Sequence, residues 1–162
     1  MSHSSKPRLG MLHYSCPPIV GGVETILATH ARLFLQAGFQ VTAIVGRGRR
    51  FDRRLELRHI PTIGSRFDAL EKVNTELRAG TVTSAFYDLV DGIEIALSAA
   101  LKDIDVCIVH NALTLHFNLP LTSALERLAV RGRARLIAWC HDLAWTNPLY
   151  LPLMHEAEPW SL

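Results

Sequence analysis

The chain reads as an α/β protein: a Rossmann-like, doubly wound parallel sheet in a single domain over residues 1–162. Three observations predict it. Short apolar runs alternate with stretches of helical period along the chain, which is the pattern of parallel strands joined by crossover helices. The runs at 105–110 and 134–140 are apolar almost throughout, as expected for strands covered on both faces. A hydrophobic content of 49% in 162 residues is enough for one core.

The opening unit spans 8–45. Leu9, Met11 and Leu12 lead to a first strand ending near Tyr14, followed by a Pro/Gly loop and a helical pattern opening at Gly21-Gly22. Val23, Ile26, Leu27, His30 and Phe34 recur at three- and four-residue steps and line one helix face. Gly38 fits the left-handed position after the last turn, and Phe39 opens a second apolar run to Val45. Residues 57–60 read as a short third strand closed by Pro61.

Helical patterns follow at 67–80 and 83–103. The second carries a stripe of Phe86, Leu89, Val90, Ile93, Leu97 and Leu101, with Gly92 as its weak point. Both segments read as packing elements without a catalytic constellation. A helix over 121–130, ended by Gly132, separates the two buried strands at 105–110 and 134–140. After His141-Asp142 the chain is rich in loop signals, with apolar residues that follow no period, and it stops at Trp160-Ser161-Leu162 in mid-pattern.

Composition excludes several classes. A formal charge of +2 argues for no nucleic-acid partner. No window of 18 apolar residues spans a bilayer, and the start MSHSSKPRLGMLHY lacks the apolar core of a signal peptide. Cys16, Cys107 and Cys140 contain no CxxC pair, and two of them, Cys107 and Cys140, lie in runs read as buried strands. They read as reduced thiols in a cytoplasmic protein. Arg47, Arg49, Arg50, Arg53, Arg54 and Arg58 fall within twelve residues, with Asp52 and Glu56 among them. This is a solvated loop or an anion surface for a phosphorylated acceptor or acidic lipid headgroups, with peripheral membrane contact at the inner surface as the second expectation.

The chemistry gathers where strands end, because ligands of open α/β sheets bind outside the carboxyl ends at the point where strand order reverses, here between the first and fourth strands. His13, His110 and His141 each follow a strand. Gly21 and Gly22 have no Cβ, and the first amides of the following helix are unpaired and partly positive, so this corner can hold a diphosphate. The run Ile19-Val20-Gly21-Gly22-Val23-Glu24 is not GxGxxG, and no GxxxxGK[ST] occurs. Gly46-Arg47-Gly48-Arg49 lacks the ribose-binding acid of a dinucleotide site, which counts against NAD.

The stretch PPIVGGVETILATHARLFLQAGFQVTAIV resembles the opening of a GT-B glycosyltransferase of family 4, with its GG(V/I)E loop, long helix and "AGHEVTV"-like second strand. The likeness covers most of the chain, is specific in the first forty-five residues and is diffuse between Arg47 and Asp103. It implies the amino-terminal, acceptor-side half of a retaining transferase. Such an enzyme moves a hexosyl group from a nucleotide sugar to a carbohydrate, lipid or small-molecule acceptor, without a metal or cofactor. In that resemblance His141 matches the histidine facing the donor sugar, and His110-Asn111 matches a polar position near the acceptor. Gly21 and Gly22 take the diphosphate; Ser15, Glu24, His110, Asn111 and Asp142 are acceptor or substrate contacts. Glu24 is expected to turn towards a hydroxyl or to favour the helix start, since a carboxylate repels a diphosphate. Trp145 is a candidate for stacking on a sugar, and Arg47 and Arg49 for reaching a phosphate.

The resemblance also implies a carboxyl-terminal donor domain that the chain lacks, so the chain is expected to be incomplete at that end and inactive alone, with the strand at 134–140 left as a sheet edge. The alternatives are a non-catalytic anion- or nucleotide-binding module, another GT-B enzyme such as a nucleotide-sugar epimerase, and last a metal-dependent hydrolase using His110, His116 and His141.

Overall fold

The computed structural model describes residues 6–162. Five strands, β1 (Leu9–Ser15), β2 (Val41–Arg47), β3 (Glu56–His59), β4 (Val106–His110) and β5 (Leu136–Trp139), form one sheet in the order β3-β2-β1-β4-β5. Every pairing is parallel. The helices are α1 (Gly22–Gln36), α2 (Asp68–Arg78), α3 (Ser84–Leu101) and α4 (Leu119–Val130). The chain steps from β1 outward to β3 and then returns to place β4 beside β1, so strand order reverses between β1 and β4, as expected.

Side chains alternate across the sheet and divide the core in two. Met11, Val41, Ala43 and Val45 pack beneath α1 with Leu27, Ala31 and Leu35. Leu12, Tyr14, Ile44 and Val109 pack on the other face against α2, α3 and α4, where Val90, Ile93, Leu97, Leu121 and Leu125 are fully buried. Each such side chain contributes roughly 1.5–3 kcal/mol on removal from water.

Helix α1 ends as its glycine requires. Gly38 sits at φ +81°, its N–H donates to the Leu35 carbonyl, and the Phe39 N–H donates to the Phe34 carbonyl at 3.0 Å. The Phe34 and Phe39 rings meet edge to face at 5.6 Å, completing the apolar contact of a Schellman motif. The buried stripe of α1 is Leu27, Ala28, Ala31 and Leu35, rotated from the expected Val23, Ile26, Leu27, His30 and Phe34. Two alanines let the helix lie close to the sheet, and His30 moves to its flank.

Helix α4 starts two residues earlier than the periodicity indicates, at Leu119, because Asn118 caps it by accepting from the Leu121 N–H at 3.0 Å. The same buried side chain donates to the carbonyls of Thr62 and Gly64. This ties the helix start to the 3-10 turn Pro61–Ile63. Beside that turn, the end of β2 touches it main chain to main chain: a Cβ on Gly46 would lie 2.3 Å from the Gly64 nitrogen and 2.5 Å from its Cα.

Strand β5 is a sheet edge, as expected of 134–140, but it corrects the reading of that run as buried: Ile137 and Trp139 are 48% and 44% exposed. They lie on the α1 side, where α1 covers β1 and β2 and reaches β5 through the contact of His30 with Trp139. Cys140 follows it exposed, whereas Cys16 and Cys107 are buried; all three are free thiols.

Candidate functional site

His13, two residues before the end of β1, and His110, the last residue of β4, lie on the α1 side of the sheet, both buried. The His13 Nδ1 lies 2.9 Å from the His110 carbonyl, which only accepts, so Nδ1 carries the proton. Burial outweighs this contact and the nearby Glu24 carboxylate, and the His13 pKa is lowered; the neutral ring therefore presents an Nε2 lone pair. That nitrogen lies 3.9 Å from Glu24 Oε1, which accepts a hydrogen bond from Ser15 Oγ at 2.5 Å. Ser15, Glu24 and His13 thus form one polar corner where β1 meets α1, with two acceptors side by side.

His141 joins this corner through His110. Its Nε2 is 3.3 Å from His110 Nδ1, and the rings stack with centroids 5.6 Å apart. Desolvation, reinforced by His13, His141 and His30, pushes the His110 pKa down to about 3, so its ring is neutral at pH 7. Its Nε2 is buried without a hydrogen-bond partner.

His30 is the member that sequence reasoning missed. It was counted within the apolar face of the helix, yet its ring lies 5.6 Å from His110 and 4.6 Å from Trp139, edge to face with the indole. No sequence signal marked it, since six residues from Glu24 to His30 do not return to the same side of a helix with 3.6 residues per turn.

Asn111 and Asp142 hold the rim together. Asn111 takes φ +59°, a conformation asparagine tolerates better than most residues. Its Oδ1 accepts from the main-chain N–H groups of His141 at 2.7 Å and Asp142 at 3.1 Å, and its Nδ2 donates to Asp142 Oδ2 at 3.3 Å. The asparagine amide is therefore committed inside the chain, where it sets the position of His141.

The twin glycines border the same corner. Gly22 is exposed, and a Cβ there would meet nothing within 4 Å. A Cβ on Gly21 would lie 2.1 Å from Glu24 Oε2, so the carboxylate folds back over the helix start on the Ser15 side. Helix α1 has no side-chain cap. Its first amides therefore remain available on the Gly22 side.

Other candidates lie apart. His116 contacts Phe117 and Tyr150, each with centroids at 5.0 Å, and takes no part in the cluster. Among the described residues, no group of three or more His, Cys, Asp or Glu side chains is placed to hold a metal ion. The Trp145 indole donates to the Trp160 carbonyl at 3.1 Å. Arg54 is bound to Asp52, whose carboxyl it pulls down to about 2, and Arg58 bridges Glu56 and Asp103. Arg47, Arg49, Arg50 and Arg53 remain exposed, without an ion pair among the described residues. No helix among those residues is long and apolar enough to cross a membrane.

A cleft of about 370 Å³ opens beyond Tyr14 and is lined by none of the four clustered histidines. Tyr14 separates the two regions, its ring 5.0 Å from His13 and 6.3 Å from Phe117 at the cleft wall.

No family model and no curated protein matches the chain. Among solved structures it is similar to the C-terminal domain (residues 78-226) of a hydrogenase from Pyrococcus furiosus, at 8% identity and a TM-score of 0.40, over 82% of this chain and 90% of that one.

Proposed function

We propose that the chain is the acceptor-side domain of a retaining, nucleotide-sugar-dependent glycosyltransferase of family 4, transferring a hexosyl group to an acceptor hydroxyl. The observation that carries this reading is the meeting of His13, His110 and His141 on one rim beside an uncapped, open Gly21-Gly22 corner. In this reading the α1 amides on the Gly22 side stabilise the departing diphosphate. His141, oriented by Asn111, bonds a donor-sugar hydroxyl. An acceptor hydroxyl donates to the His13 Nε2 or to Glu24, the adjacent acceptors of the corner. The remaining donor contacts come from a second domain supplied alongside this one. The exposed arginines from Arg47 to Arg53 form an anion surface suited to a phosphorylated acceptor or to acidic headgroups at a cytoplasmic membrane face.

Titration with pyrophosphate, followed by amide resonances, tests the corner. The expected result is perturbation of Gly21 to Glu24, weakened about tenfold by Gly22→Val, the order of loss for strong anion contacts. The fold has room for that valine, since a Cβ at Gly22 meets nothing within 4 Å. Equal binding by the variant, with its circular dichroism unchanged, overturns the reading.

A further inference from the structure

The cleft beyond Tyr14 has a polarity that dictates its ligand. One wall is the face of α2 carrying Glu71, Asn74 and Arg78, three residues spaced by three and four positions. The opposite wall is aromatic: His116, Phe117 and Tyr150 meet one another edge to face, with His116 5.0 Å from both and Phe117 5.6 Å from Tyr150.

Each polar group asks for a different partner. Asn74 Nδ2 already donates to the Phe117 carbonyl at 3.1 Å, which leaves its Oδ1 as an acceptor. With the Glu71 carboxylate this makes one end of the cleft rich in acceptors, and acceptors call for hydroxyl donors. Arg78 stands about 10 Å further along the helix, seven residues at 1.5 Å each. It makes no ion pair among the described residues, although other arginines of the chain do. Beside it, His116 lines the cleft with its Nδ1 sealed from solvent, so the rest of the imidazole is what a ligand can meet. Burial, then the Arg78 charge, lowers the His116 pKa, which places the guanidinium and the imidazole in each other's field.

We propose that this cleft binds a polyhydroxylated ring bearing a phosphomonoester, with the ring against Tyr150, its hydroxyls on Glu71 and Asn74, and the phosphate between Arg78 and His116. Arginine suits the phosphate because its planar fork donates two hydrogen bonds to adjacent oxygens. Glu71 and Arg78 branch from α2 about 10 Å apart along its axis, which separates the phosphate end of the cleft from the carboxylate end. The size is right, since small-molecule sites begin at roughly 300 Å³. Neither the glycine corner nor the histidine cluster contributes a group, so this site stands or falls independently of glycosyl transfer.

Calorimetric titration of the full chain with glucose 6-phosphate tests it, with glucose, inorganic phosphate and glucuronate as comparison probes. The expected result is a Kd near or below about 1 mM for glucose 6-phosphate, with each comparison probe about tenfold weaker. Arg78→Gln should weaken binding about tenfold, and Arg78→Lys should restore part of the loss. Arg78 is exposed at the last turn of α2, so the variant keeps its fold, verified by an unchanged thermal midpoint. No heat with glucose 6-phosphate, equal affinity for glucuronate or for phosphate alone, or full binding by Arg78→Gln overturns the proposal.

Discussion

The two faces of strands β1 and β4 differ although their residues alternate one by one. On the α1 side the last buried residues of these strands are His13 and His110; on the other they are Tyr14 and Val109, sealed beneath three helices. The sealed face is apolar apart from the free Cys107 thiol and the Tyr14 hydroxyl, which is buried without a partner among the described residues. The face with one helix carries the polar strand ends, where His13 Nδ1 meets the His110 carbonyl and His110 Nδ1 meets His141, although the His110 Nε2 is left without a partner among the described residues. The histidine cluster thus gathers on the face that a single helix covers.

The largest effect should come from the sealed face. Leu97 is completely buried, and Leu97→Ala should cost about 2–5 kcal/mol in chemical denaturation, with the histidine resonances of the opposite face nearly unmoved. A comparable shift in those resonances would break the distinction between the faces.

The next effect belongs to the open face and depends on pH. His110 titrates near 3 when folded and near the ordinary 6.5 when unfolded, so the unfolded chain binds the proton first. Stability is complete above about pH 6.5 and falls as the pH drops towards 3, at up to about 1.4 kcal/mol per pH unit. Between pH 7 and pH 5 this amounts to about 2 kcal/mol, and His110→Gln should flatten the slope in urea titrations. His13, also lowered by burial, adds to the slope in the same direction. A variant with the parent's slope would remove His110 as its source.

Asn111 sharpens the comparison at the rim. Asn111→Ala should lose about 1–3 kcal/mol, because it strands the His141 and Asp142 amides and forces alanine to a positive φ. Asn111→Gly keeps the backbone comfortable and isolates the loss of the amide contacts. If glycine restores full stability, the clamp contributes nothing.

The smallest effect concerns Glu24. Glu24→Gln should strengthen pyrophosphate binding a few-fold, since it removes a carboxylate from the helix start. Weaker binding would instead assign the carboxylate a supporting role at that corner.

Much of this arrangement was legible in the residues. The alternation of strands and helices, the reversal between β1 and β4, and the terminating Gly38 all follow from local pattern, because they depend on period and on one backbone angle. The gathering of His13, His110 and His141 followed from topology alone. His30 did not, because helical period gives a face only within one residue's rotation, and Ala28 and Ala31 turned that face. The edge position of β5 was foreseen, but its exposed face was hidden by its apolar composition, which describes side chains and not the layer above them. The cleft had no signal at all. Its aromatic wall joins Phe117 to Tyr150 across 33 positions, and Trp160, buried among the core side chains, comes from a terminal stretch without period.

The contact between Gly46 and Gly64 couples distant parts of the molecule. A methyl group at Gly46 has no space of its own, since it would lie within 2.5 Å of the Gly64 main chain and 2.9 Å from the Tyr14 carbonyl oxygen, so even alanine there would wedge the tip of β2 away from the turn at 61–63. That turn is held to α4 by Asn118 and leads directly into Ser65 and Arg66 at the mouth of the cleft. The smallest possible enlargement of a buried strand would therefore be felt as a change of aperture on the far side of the sheet, without altering any atom that lines it.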